Sequence, residues 1–291
     1  MPTPQFRMVY SQSEGSCLEV NILIKRKIYF AVLLLILNFF SVFEKPAEGK
    51  TFALIISGII KDEQYRTART QNMVNLQEYL LKNTDTATDT IKVLLPDETG
   101  NNTVNSSQYS NVQKLINNLS STIKPEDRFV FYYTGQANVA NQQLRFNLPD
   151  KDITQLEMGQ LIKSIKSKSM LVILDCPAAG LAVKELSAKG RIIICSCTDQ
   201  QRFNMKFGEC FMAALNNPET DIDNDNKKSI LEVFISTSKN VEDWYREEKL
   251  LLNETPVLDD DGDGKPSKEP WLYSINMKDG LASSKFFLEK E

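Results

Sequence analysis

Five short apolar runs recur along this chain, most of them separated by segments of helical periodicity. They are 51–57, followed by Gly58, 91–95, closed by Pro96, then 128–134, 170–174 and 191–195. A continuous apolar run of strand length is expected where a strand is covered on both faces. Between the runs, residues 64–82 place Met73, Leu76, Tyr79 and Leu80 at helical spacing, and 111–123 do the same with Val112, Leu115, Ile116 and Leu119. Thr154, with Glu157 three residues on, opens a helix to about Lys166 through a capping box. A small excursion is expected at 142–148 and a flexible Asn/Thr/Ser-rich loop at 99–110. This order predicts an α/β fold: a mostly parallel sheet with helices on both faces. Ligands in such sheets sit beyond the carboxyl ends of the strands, so the loops after Ser57, Thr134 and Leu174 are the candidate site.

The N-terminus reads differently. Lys25, Arg26 and Lys27 precede an apolar run from Ile28 to Phe43, and Ala47 and Gly49 place small residues where a signal peptidase inspects the chain. The expected division is an extension and signal peptide at 1–49 and one α/β domain at 50–291. The protein is then secreted or periplasmic, or membrane-anchored if the apolar segment is retained. The 24 residues ahead of the signal are unusual, and Met8 or a later codon is an alternative start. Net charge is −4, from 34 basic and 38 acidic residues. With no basic stripe on a periodic face, nucleic acid is not an expected partner.

The chain contains no histidine. That excludes a Ser-His-Asp triad, a Cys-His dyad, an imidazole metal ligand and an imidazole proton shuttle. Of the five cysteines, Cys17 lies in the extension, while Cys176, Cys195, Cys197 and Cys210 read as buried thiols packing as small hydrophobes. Cys195 and Cys197, two apart on the fifth run, would share a face and could meet Cys176 as a disulfide or thiolate site, although three sulfurs make a weak zinc site.

Two strand ends carry a resemblance. The third run ends Tyr132-Tyr133-Thr134-Gly135-Gln136-Ala137, and the fourth ends Leu174-Asp175-Cys176-Pro177-Ala178-Ala179-Gly180. These resemble the catalytic loops of the caspase and legumain (hemoglobinase) group of cysteine peptidases, whose bacterial members read Tyr-Tyr-Thr-Gly-His-Gly and Leu-Asp-Ala-Cys-Tyr-Ser-Gly. The segments 255–264 and 279–282 are also similar to motifs of those relatives. The resemblance implies a caspase-hemoglobinase-like fold over most of residues 51–290.

Carried over position by position, it also implies lost chemistry. The histidine position falls on Gln136, which cannot take a proton from a thiol near neutral pH. The nucleophile position falls on Pro177. Cys176 stands one residue early, where strand alternation aims it into the sheet packing. The group's oxyanion donors are the backbone N–H of the nucleophile and of the glycine after the histidine. Here proline has no N–H, and Ala137 replaces the glycine. One such donor is worth roughly 3–4 kcal/mol in a working enzyme. The expected function is therefore that of a pseudopeptidase which binds a peptide or protein partner. The alternatives are a hydrolase rebuilt around Cys176 and a structural extracellular module.

Two acidic loops complete the reading. Asp221, Asp223, Asp225, Ser229 and Glu232 place oxygens at positions 1, 3, 5, 9 and 12 of a calcium loop, with the Lys227 carbonyl at position 7. Asn226 stands where glycine normally makes the turn, and Lys227 and Lys228 lower cation affinity. Helical patterns flank this loop at 205–216 and 229–249. Asp259, Asp261 and Asp263 repeat the first half of such a loop, but Pro270 at position 12 cannot ligate through its side chain. The second loop has two readings, a calcium site completed from elsewhere or a tight structural turn.

Overall fold

A computed structural model describes residues 49–97, 105–203, 206–272 and 279–290. The expected signal or anchor, Cys17 and part of the 99–110 loop lie outside the described residues. No helix among the described residues is long and apolar enough to cross a membrane.

The apolar runs become β1 (Thr51–Ser57), β2 (Ile91–Leu94), β3 (Arg128–Thr134), β7 (Ser169–Asp175) and β8 (Arg191–Cys195). They form a parallel sheet in the order β2-β1-β3-β7-β8. A sixth strand, β9 (Val257–Asp259), adds antiparallel to β8. Three residues were too few to register as an apolar run. The excursion expected at 142–148 is larger than its sequence suggests. Strands β4 (Ala137–Ala140), β5 (Gln143–Phe146) and β6 (Ile153–Thr154) make a separate antiparallel sheet.

The helices are α1 (Glu63–Asn83), α2 (Tyr109–Thr122), α3 (Gln155–Lys163), the short α4 (Val183–Leu186), α5 (Phe207–Asn216) and α6 (Ile230–Glu247). Asp62 starts α1 by accepting from the backbone N–H of Gln64 and Tyr65. Thr154 and Glu157 form the capping box that opens α3, but the helix stops at Lys163, one turn short of the expected Lys166.

Register shows how the helices divide. Tyr132 lies opposite Ile173, and Arg191 lies opposite Met170. Positions 170 and 173 have opposite parity on one strand, so Tyr132 and Arg191 face opposite sides of the sheet. Arg191 donates to the carbonyls of Leu186 and Ile162, which places α3 and α4 on its side. On the other side, Thr134 has the parity of Tyr132 and meets Arg69 of α1, while Gly208 of α5 lies against Tyr132. Both faces of the central strands are thus covered, and Phe129 to Tyr133 and Leu171 to Leu174 are completely buried. Each large aliphatic side chain so buried contributes about 1.5–3 kcal/mol.

Candidate functional site

The pairing of β1, β3 and β7 runs level to their carboxyl ends. Ser57 lies opposite Thr134, and Thr134 opposite Asp175. The loops that follow therefore leave the sheet side by side, and the Gly135 N–H donates to the Asp175 carbonyl at 3.3 Å. Above these ends lies a cleft of about 460 Å³. Gln136 and Pro177 both line it, together with Lys61, Asn147, Asp152 and Arg202. The fold brings the two resemblance loops to one cavity. Lys61 lies in the loop after β1 that strand order marks. Asp152 and Arg202 come from the β5–β6 connection and the segment after β8, which have no apolar pattern or motif to reveal them.

Backbone groups around the cleft are committed. The Gln136 N–H donates to the Ile59 carbonyl at 3.0 Å, and its own carbonyl accepts from Asn147 N–H at 3.1 Å and the Tyr133 hydroxyl at 2.9 Å. After Pro177, which brings no N–H, Ala178 turns left-handed at φ 56° and donates its N–H to the Gln201 carbonyl at 2.7 Å. Of the two expected oxyanion donors, the one at position 177 is absent because proline has no N–H.

Cys176 is completely buried. Burial pushes its thiol well up, and Cys197, Cys195 and Asp175 push the same way against the opposing Arg69. The thiolate, the nucleophilic form, is disfavoured. Cys195, Cys197 and Cys210 are also free and buried. Cys197 lies beyond the end of β8, not on the strand with Cys195 as the spacing predicts, and its Sγ points at the carbonyls of Cys176 and Gln201. Burial raises the Cys197 thiol to about 11 and the Cys210 thiol to about 12. Among the described residues, no cysteine belongs to a cluster that could hold a metal.

Beneath the cleft lies a polar cluster that the sequence does not signal. Arg69 of α1 and Asp175 of β7 form an ion pair at 3.4 Å, 5% and 1% exposed. Asp175 Oδ2 also accepts from Thr134 Oγ1 at 2.8 Å and Tyr132 OH at 3.1 Å, and Arg69 donates to Thr134 Oγ1 and the Asp175 carbonyl. Burial works against the Arg69 charge, but Asp175 leads the groups that raise its pKa. Gly208 lets α5 approach this cluster, since a Cβ there would stand 2.4 Å from Asp175 Oδ2. Glu254 is completely buried at the start of α5, where it accepts from the N–H groups of Lys206 and Phe207 at 2.7 Å each.

The two acidic loops differ. Carboxylate oxygens of Asp221, Asp223 and Asp225 lie within 4.8 Å of one another, as do those of Asp259, Asp261 and Asp263. In the first loop the acids shape the chain. Asp221 accepts from the N–H groups of Asp225 and Asn226, and Asp225 accepts from that of Lys227. Asn226 takes the left-handed turn at φ 68° in place of glycine. Ser229 and Glu232 form the capping box of α6, while the other Glu232 oxygen accepts from the N–H groups of Ile222 and Asp223. In the second loop Asp259 is completely buried, with Asp261 and Asp263 exposed.

The chain matches no known family model, and no curated protein matches it in sequence.

Proposed function

We propose that this protein is a catalytically inactive member of the caspase and legumain group that binds a peptide or protein segment in the cleft above β3 and β7. The observation that carries this reading is the convergence of Gln136 and Pro177 on one cavity at level ends of adjacent parallel strands. The positions that resemble a catalytic base and nucleophile thus share a site, and neither can act as one. Lys61 and Arg202 line the cleft against one carboxylate, Asp152, a balance that favours a segment with an acidic side chain. The rebuilt-hydrolase reading rests on Cys176, whose burial and raised pKa argue against it.

The test is to assay the full-length chain on a peptide library for cleavage and for binding, beside Cys176→Ala and Lys61→Glu/Arg202→Glu. The expected outcome is no turnover in any form, with binding that the charge reversal weakens at least tenfold. Turnover that disappears in C176A would establish thiol chemistry. Binding unchanged by the charge reversal would remove the cleft as the binding site.

A further inference from the structure

The side chain of Asp259 carries a buried oxygen left without a hydrogen bond among the described residues. Its Oδ1 accepts from the Ser187 hydroxyl at 2.9 Å, while Oδ2 is buried and has no hydrogen-bond partner among the described residues, although the Gly264 N–H also faces this carboxylate. The residue is 0% exposed. Leaving a buried carboxylate oxygen unpaired is costly, and native structures rarely do so without an ion, a water or a role. This oxygen belongs to the side chain that clusters with Asp261 and Asp263 within 4.8 Å.

We propose that Asp259, Asp261 and Asp263 bind a calcium ion that pins β9 to the turn between α4 and β8. Three features of the loop favour this. First, Asp261 and Asp263 each spend Oδ1 on a backbone N–H, of Asp263 and Lys265 respectively, which leaves one oxygen of each available. Second, the acids stand at positions 1, 3 and 5, and the sharp turn at position 6 is made by Gly264 at φ 75°. Third, two oxygens on one calcium at 2.3–2.6 Å lie no more than about 5 Å apart, which matches this spacing. Magnesium would draw them to within about 4.2 Å and demand a near-ideal octahedron.

The neighbouring acids have other work. Asp260 accepts from the N–H groups of Gly280 and Ser283, and Asp279 accepts from that of Asp260. Lys265 lies 4.0 Å from Asp263 Oδ2, but its side chain is 85% exposed and makes a weak competitor. The ion would join β9 to the α4–β8 connection, because Ser187 orients Asp259 and a Cβ on Gly262 would stand 2.9 Å from the Lys189 nitrogen. The site is independent of the cleft.

The experiment is thermal melting of the full-length chain in chelator, then with calcium titrated to about 10 mM, well above the weakest extracellular calcium sites. The variants are D261N/D263N, exposed positions whose change leaves the fold in place, and D223N/D225N in the other loop. At about 100 times the dissociation constant the melting temperature should rise about 5–10 °C. That rise should vanish in D261N/D263N and persist in D223N/D225N. No rise in the unaltered chain, a rise that survives D261N/D263N, one that follows the 221–225 loop, or an equal rise with magnesium alone would each overturn the assignment.

Discussion

Asp175 illustrates how much one side chain can decide. Its carboxylate receives Thr134, Tyr132 and Arg69 in a space almost without water, where an unpaired charge is far more expensive than a paired one. Asp175→Asn should therefore cost about 3–5 kcal/mol, read as a lowered urea midpoint. R69M/D175N should cost less than the sum of the single changes, because neither partner is then stranded. Additive losses would show that the two groups do not depend on each other. Glu254 makes a different prediction. Burial pushes its carboxyl up to about 8, with the N–H groups of Lys206 and Phe207 pulling down and Asp175 adding to the rise. The folded protein then holds a proton that the unfolded chain, near 4.5, releases. Glu254 contributes its full stability below about pH 4.5 and loses it as pH rises towards 8. E254Q should flatten the decline of the urea midpoint between about pH 5 and 8. Parallel curves for the two proteins would refute the assignment. None of this was legible in sequence, because Arg69 sits in a polar helix and Glu254 in a loop. Only the packing of α1 and α5 on the sheet takes them out of water.

Among the elements, those with long patterns were readable and those with short ones were not. The runs at 51–57, 128–134 and 191–195 became strands with those bounds because their four or five successive apolar residues can be covered only between two layers. Strand β9 escaped notice because three residues carry no period. β4 to β6 were not read as strands because they are two to four residues long, and the alternation of Gln143 to Phe146 is too brief to establish a period. The cap at Thr154 and Glu157 was readable, whereas Ser229 and Glu232, at the same spacing, were read as calcium ligands and form a capping box. Ser229→Ala should cost about 1 kcal/mol by removing the acceptor for the Glu232 N–H at the start of α6. Chemical denaturation measures this. A loss indistinguishable from zero would mean that the Ile230 N–H bond to the Phe286 carbonyl holds the helix start by itself.

At the scale of the whole molecule, alternating patterns were enough to call for a mostly parallel sheet between helical layers and to mark the strand ends as the place for a site. Both follow from local chain properties, the period of apolar residues and the short reach of the connections. The missing histidine and the proline at 177 were likewise plain in the sequence, since what a residue type cannot do needs no coordinates. Tertiary structure alone decided which residues meet. It brought Lys61, Asp152 and Arg202 to Gln136 and Pro177, sank Cys176 out of reach, and separated two acidic loops that look alike on paper. By motif, the 221–232 loop carries the fuller ligand set. By burial, Asp259 holds the oxygen in need of a partner, because solvent exposure is settled by neighbours distant in sequence and not by spacing along the chain.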